Sequence, residues 1–265
     1  ARQDAGIALA DSKKQMVQSR LTRHLKRAGY SSFDAYISSV EAAKTGPARE
    51  ELNNLLTTNV SSFFRESHHF DTLAEEVLPE LIAKARAGGR VRIWSAGCSS
   101  GQEPYTIAMQ ALTAADDLGN HDFRILATDI DRDVLKTAVA GTYPLREAEG
   151  IPEPMRRTFT TTAQCAPNTF TMLPDARDLV AFRHLNLMHA WPMKHRCDVI
   201  FCRNVVIYFD EGVQAALWPR FADALQGGGW FFLGHSERLD ANMGRQFDNA
   251  GITTFRKNQS VAGAL

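Results

Sequence analysis

The rhythm of apolar residues changes at Gly88-Gly89, and no other feature of the chain constrains its fold as much. Beyond that point short apolar runs alternate with helix-period stretches. The runs are VRIWSA (91–96), FRILAT (123–128), DVIFC (198–202) and WFFLG (230–234), and the helical stretches lie near 103–118, 131–140 and 213–226. Short runs bounded by turn signals suit strands buried on both faces, and strands alternating with helices build a parallel sheet with crossovers. A last pair of extended pieces near 247–257, carrying Phe247 and the run Ile252 to Phe255, suits an antiparallel edge. The expectation is a Rossmann-like open α/β sheet with its ligand site at the carboxyl ends of the strands. One interval breaks the alternation. From Arg156 to Phe182 the chain is rich in Thr, Phe and Val with Pro-Asn and Pro-Asp turn signals, which predicts a small antiparallel β insertion rather than a helix.

Before Gly89 the pattern is helical throughout. Val17, Leu21, Leu25 and Ala28 form one apolar stripe that stops at Gly29. Phe33, Tyr36, Ile37 and Val40 form a second, opened by Ser31 with Asp34 three residues on, in the manner of a capping box. A third starts at Gly46-Pro47 and carries Leu52, Leu55 and Leu56 inward. The segment from Glu66 to Ala87 reads as a helical connector, kinked near Pro79. The predicted organisation is a small all-helical domain (1–65), a linker helix (66–89) and an α/β domain (90–265) with the β insertion at 156–182.

Charge narrows the function classes. Thirty basic and thirty acidic residues cancel, which argues against a general nucleic-acid binder. No run of about 18 apolar residues predicts a membrane-spanning helix, and the opening ARQDAGIALADSKK lacks the basic-then-apolar order of a secretory signal. The four cysteines, Cys98, Cys165, Cys197 and Cys202, make no CxxC pair and have no His at zinc spacing. They read as reduced thiols of a cytosolic protein, with no metal site.

Four motifs carry chemistry. In IWSAGCSSGQEPY (93–105) a buried strand ends in small residues, Ala96 to Gly101, and a helix begins near Glu103-Pro104. Small residues let backbone approach a ligand, and a helix start presents free N–H groups. The spacing is neither GxGxxG nor a GxxxxGK[ST] phosphate loop. Glu103 at the helix start suits a ligand with a cationic group; an ordinary tight turn is the plainer alternative. In ATDID (127–131), Asp129 stands where Rossmann-type sites hold a ribose diol, while Asp131 reads as a helix cap. In CDVIFCRNVVIYFD (197–210), Arg203, Asn204, Tyr208 and Asp210 follow a strand too apolar to face water, and Asp210 is the simplest cap for the next helix. Asn186-Leu187 ends another extended piece. In TTNVSSFFRESHHF (57–70), Phe63 and Phe64 read as packing, Arg65 lies at a domain junction, and adjacent His68 and His69 point too far apart for a shared metal.

These residues resemble the chemoreceptor glutamate methyltransferases of the CheR type. The likeness runs from about residue 10 to 257 through NVSSFFRESHHF, WSAGCSSGQEPYTIA, ATDID, FCRNVVIYFD and LGHSE in family order. It implies a helical domain ahead of a Rossmann-like catalytic domain, the cofactor S-adenosylmethionine with product S-adenosylhomocysteine, and glutamate side chains of chemotaxis receptors as substrate. By the same resemblance Asn59, Ser61, Arg65, Gly97, Glu103, Asp129, Asn186, Leu187, Cys202 and Arg203 surround the cofactor. Asp129 would hold the ribose, Gly97 and Glu103 would flank the methionine part, and Tyr208 would face the reacting methyl. Arg65 and Tyr208 are the expected catalytic pair, and Ser61 keeps a hydroxyl where Thr is expected. The implied partner is the cytoplasmic helical bundle of membrane chemoreceptors, met by a cytoplasmic monomer that is recruited to receptor arrays and binds neither nucleic acid nor membrane. Lys13, Lys14, Arg20, Arg23, Lys26 and Arg27 stand without an acid between them, and Arg20, Arg23 and Arg27 form one helical row suited to an acidic bundle.

One departure concerns tethering. Some family members bind a receptor's C-terminal peptide at a Gly-containing turn, whereas TTTAQCAPNTF (160–170) has no glycine. Three competing readings are a same-fold methyltransferase acting on RNA or a small molecule, a cofactor-binding regulator without catalysis, and an NAD-dependent enzyme. The missing glycine pattern disfavours the last.

Overall fold

The computed structural model describes residues 14–43, 46–56, 59–162 and 166–259. The first three helices, α1 (Lys14–Ala28), α2 (Phe33–Ala42) and α3 (Pro47–Leu56), pack around buried Leu21, Tyr36 and Val40. Val17, Leu25, Ile37, Leu52 and Leu55 of the expected stripes pack against them, whereas Ala28 and Phe33 are exposed and the Leu56 side chain lies outside the described ones. The cap of α2 differs by one residue from expectation. Ser32, not Ser31, takes the extended cap conformation and accepts from the Ala35 N–H at 3.1 Å, so the Ser31–Asp34 box does not form. Lys13 and Cys165 lie outside the described residues.

The connector is helical but not uniform. It runs through α4 (His68–Thr72), a π turn (Leu73–Val77) and α5 (Leu78–Arg86). Pro79 in the first turn of α5 has no N–H to give and crowds the preceding turn, which widens so that Leu78 N–H reaches Leu73 O.

After the connector come β1 (Val91–Ala96), α6 (Gln102–Ala114), β2 (Phe123–Asp129), α7 (Arg132–Ala140) and β3 (Thr142–Pro144). Next are α8 (Glu153–Phe159), β4 (Thr160–Thr162), β5 (Thr169–Met172), α9 (Pro174–Asp178) and β6 (Val180–His184). The chain then forms β7 (Cys197–Cys202), α10 (Glu211–Ala224), β8 (Leu225–Leu233), β9 (Phe247–Gly251) and β10 (Thr254–Lys257). The large sheet has the order β6-β2-β1-β7-β8-β10-β9. Its first five strands run parallel, and β10 and β9 close it antiparallel.

Alternate residues of the central strands feed two cores. Ile93, Val199, Phe201 and Phe232 join one layer, while Trp94, Ile200, Cys202 and Phe231 join the other. Helices cover both faces, which is why these strands read as unbroken apolar runs. Strand order reverses at β1, with β2 on one side and β7 on the other. The loops after those strands therefore splay apart and leave a crevice at their carboxyl ends.

The β insertion begins and ends earlier than its composition suggested. It is the three-stranded antiparallel sheet β3-β5-β4, starting at Thr142 rather than Arg156 and ending at Met172. Arg156 to Phe159 belong to helix α8, and Pro174 opens the short helix α9. Val180–His184, expected to begin inside the insertion, is the parallel edge of the large sheet, with Ile125 opposite Val180. Three-residue strands carry too little periodicity to be read, and an edge strand exposed on one side looks like an insertion strand. No helix among the described residues is long and apolar enough to cross a membrane.

Candidate functional site

A crevice open to solvent at its mouth lies at the carboxyl ends of the strands. Five segments build it. The stretch ahead of α4 contributes Asn59, Val60, Ser61, Ser62 and Arg65. The turn after β1 contributes Gly97, Cys98 and Ser99, with Glu103 from the first turn of α6. Thr128, Asp129 and Ile130 end β2, and Leu185, Asn186 and Leu187 follow β6. Arg203, Asn204, Val205, Tyr208 and Phe209 follow β7.

Backbone approach explains the small residues after β1. Gly97 has φ +80°, and a Cβ there would sit 2.3 Å from Val205 Cγ2, so only glycine lets the two turns meet across the crevice. Asp129 is 7% exposed and braces the same turn, its carboxylate accepting from Ser99 N–H at 2.8 Å and Asp131 N–H at 2.9 Å. Burial pushes its pKa up to about 6, against the pull of those N–H groups. Asp131 caps α7, accepting from Asp133 and Val134 N–H, and also accepts from the Asn59 amide at 2.6 Å. That contact, with Ser99 Oγ donating to Asn59 O at 3.1 Å, draws the stretch 59–65 across the strand ends.

The charges beside the crevice are paired across distant segments of the chain. The Arg203 side chain is 2% exposed; Nη1 donates to Glu103 at 3.0 Å and Nη2 lies 3.3 Å from Glu66. Nη2 also donates to the Arg65 carbonyl, and the guanidinium lies 5.3 Å from the Phe70 ring centroid. Burial opposes ionisation of Glu66, but hydrogen bonding from His235, the Arg203 charge and the Asn204 amide hold its pKa down to about 2. Burial pushes Glu103 up, against the pull of Arg203 and of the Ser95 hydroxyl that donates to it at 2.7 Å. The first cation beside Glu103 is thus Arg203 itself. Arg203 pairs with Glu103 and Glu66, His235 also meets Glu66 at 2.9 Å, and Arg65 joins Glu103, Asp129 and Arg203 on the crevice wall.

Most of the candidates from sequence line the crevice. Asn59, Ser61, Arg65, Gly97, Glu103, Asp129, Asn186, Leu187, Arg203 and Tyr208 all do. The Asn59 amide nitrogen is committed to Asp131, and the Asn186 side-chain oxygen accepts from Met188 N–H at 2.9 Å. Arg65 Nη1 donates to the Val60 carbonyl at 3.0 Å, which holds the arginine against the stretch that carries it. Cys202 is the correction. It is fully buried with Leu187, Trp218 and Leu233 in the core beneath the crevice and is not part of its wall. Strand alternation places its thiol under α10, and the chain reaches the crevice only at Arg203.

Other expectations resolve as packing. His69 is fully buried, with Nε2 3.0 Å from Thr253 Oγ1, and burial with the Arg203 charge lowers its pKa to about 3. Among the described residues no group of three or more His, Cys, Asp or Glu is arranged to hold a metal. Asp210 caps α10 by accepting from Val213 N–H. On α1, Arg20 reaches back to the Leu55 carbonyl at 3.4 Å, whereas Arg23 and Arg27 are exposed, with Arg27 4.0 Å from Glu51. Sequence reasoning missed Glu66 and Glu237 as framework, although both lie in motifs it quoted. A glutamate inside an otherwise apolar or small-residue motif was the available signal.

The contents of the crevice suit a nucleoside bearing a cation. Asp129 is the carboxylate for a diol, Ile130, Leu185 and Leu187 offer apolar surface for a base, and Glu103 supplies a second carboxylate.

Two family models match the chain. One, described as the all-alpha domain of CheR methyltransferase, matches residues 1–57, and the other, its SAM binding domain, matches residues 59–256. A probable chemotaxis protein methyltransferase of Rhizobium etli is 46% identical over 254 residues, covering 96% of this chain and 95% of the relative. Chemotaxis protein methyltransferase 2 of Pseudomonas aeruginosa is 41% identical, covering 88% of this chain and 82% of the relative. The chemotaxis protein methyltransferase of Salmonella typhimurium is 37% identical, with coverage of 98% and 88%.

Proposed function

This chain belongs to the CheR methyltransferase family, and on that premise we propose that it esterifies glutamate side chains of chemotaxis receptors with the methyl group of S-adenosylmethionine. The observation that carries the proposal is a crevice at the strand ends whose wall holds the carboxylates of Asp129 and Glu103 together with Arg65 and Tyr208.

When bound, S-adenosylmethionine supplies a methyl group activated by a positively charged sulfur. Asp129 accepts from the ribose, and Gly97 allows backbone to approach beside Glu103. A solvated glutamate has a pKa of about 4.3 and meets the site already ionised, so no general base is required. The chain contributes position and dryness. Arg65 and Tyr208 orient the incoming carboxylate, while Val205, Leu187 and Phe209 keep water from the line of transfer. Arg65 must hold that carboxylate loosely, because tight ground-state binding would raise the barrier. Arg20, Arg23 and Arg27 on α1 present a basic row to the acidic receptor bundle, and Arg23 and Arg27 are its outward members. The receptor's helical bundle lies on the cytoplasmic side, and the enzyme works there as a monomer without entering the membrane.

The test is transfer of tritiated methyl from S-adenosylmethionine to receptor-bearing membranes, followed by mild alkali. Radioactivity released as volatile methanol is the expected result, since only a carboxyl ester hydrolyses so readily. Alkali-stable label would assign a different acceptor. No label, with cofactor still bound, would leave a cofactor-binding regulator.

A further inference from the structure

Glu237 takes no part in the chemistry described so far, yet it is 3% exposed and accepts five backbone hydrogen bonds. One carboxylate oxygen accepts from Val205 and Val206 N–H, each at 2.8 Å, and from Ile207 N–H at 3.3 Å. The other accepts from Gly234 N–H at 2.6 Å and Asn204 N–H at 2.9 Å. Buried N–H groups require partners, and here a single side chain from the loop after β8 satisfies four consecutive ones in the loop after β7.

That second loop is part of the crevice. Asn204, Val205 and Tyr208 line it, and the turn Val206–Tyr208 starts on the N–H groups that Glu237 holds. Asn204 stands at φ +58°, a left-handed conformation that persists only where its surroundings hold it. A Cβ on Gly234 would lie 2.5 Å from the Asn204 side chain and 2.6 Å from its backbone nitrogen, so the two loops are in tight register. Val205 in turn seats against Gly97 on the opposite side.

We infer that Glu237 is a positioning residue for methyl transfer, fixing the backbone of Asn204–Ile207 and through it Val205 and Tyr208 at the crevice wall. A carboxylate suits the task because both of its oxygens only accept, whereas an amide would turn a donor toward two or three of the five N–H groups. The inference rests on the proposed transfer reaction, because it assigns Glu237 an effect on turnover and not on folding alone.

The test is a double-mutant cycle of E237Q with Y208F, read as kcat, receptor KM, S-adenosylhomocysteine affinity and thermal midpoint. In the wild-type background E237Q is expected to lower kcat on the order of 30-fold, the scale of a small misplacement at a reacting centre, with S-adenosylhomocysteine affinity held within about threefold. In the Y208F background the same change should cost less than about threefold, because the residue it positions is already altered. An undiminished kcat in E237Q, or an equal loss in both backgrounds, overturns the inference. Should E237Q fail to fold, G234A displaces Asn204 without removing the carboxylate. It should lower kcat with the same dependence on Tyr208, and a normal kcat there overturns the inference too. Wild-type enzyme that releases no methanol sinks the reaction itself; active wild type with uncoupled variants sinks only the role of Glu237.

Discussion

At the scale of single residues, Asp129 shows how burial sets the charge of a carboxylate on the crevice wall. Its pKa, raised by burial to about 6, lies above that of a solvated aspartate. The sign follows. Its contribution to the stability of the free protein is fully present below pH of about 4 and is lost as pH rises through about 6, because folding then buries a charge. Ligand binding runs the other way, since an ionised carboxylate is the better acceptor for a ribose diol. S-adenosylhomocysteine affinity should therefore weaken on the order of tenfold as pH falls about one unit below the Asp129 pKa. D129N should bind more weakly at neutral pH and lose that acid limb. Titration calorimetry between about pH 5 and 7.5 checks this, and a flat wild-type profile would remove Asp129 from the ligand. That Asp129 lines the crevice was legible in the sequence, because an acid at the tip of a buried strand stands where the carboxyl ends of the sheet open. Cys202 was misread for the opposite reason: neighbours on a strand face opposite sides, and a motif does not say which one reaches the crevice.

At the scale of elements, the segment between β6 and β7 is irregular, yet it supplies Leu185, Asn186 and Leu187 to the crevice. Helix α10 holds it from outside. Arg220 Nη1 donates to Leu187 O at 2.6 Å, Nη2 donates to His189 O, and the guanidinium stacks 4.3 Å from the Trp191 ring centroid. Trp191 Nε1 donates to Leu187 O as well, at 3.1 Å. R220M removes two charge-assisted hydrogen bonds and a cation–π contact while keeping the aliphatic bulk. It should raise the KM for S-adenosylmethionine about tenfold and leave saturating kcat within about twofold, as expected when only binding is lost. A normal KM would mean that the wall stands without its strut. No local pattern announced this contact, because the partners are 33 residues apart and the arginine reads as an ordinary exposed residue of a helix.

At the scale of the whole molecule, two regions with separate cores share one chain. The helices α1–α3 have a core of their own, and α1 carries basic side chains outward at Arg23 and Arg27. Arg20 contributes less to that face than its spacing suggested, being turned toward Leu55. The double reversal R23E/R27E should raise the KM for receptor on the order of tenfold at low salt, with the difference shrinking as ionic strength rises. S-adenosylhomocysteine affinity should not change, since both arginines lie on α1 and neither lines the crevice. Kinetics with receptor membranes at several salt concentrations check it. Insensitivity to both charge and salt would move docking to another surface.

The sequence alone determined the class of fold, because strand and helix periods, glycine stops and Pro-opened turns are local and survive without knowledge of neighbours. It also determined most of the crevice, since a parallel sheet that reverses at β1 must bring the ends of β1, β2 and β7 together. Tertiary structure alone decided what Arg203, Glu66 and Glu237 do, whereas the helix caps Asp131 and Asp210 were local enough to read. Arg203 joins Glu103 and Glu66, which lie 100 and 137 positions before it, and Glu237 gathers four amides some 30 positions before it. A charge can pair with any opposite charge or N–H that the fold delivers, so its partner is a property of the packed molecule and not of the string.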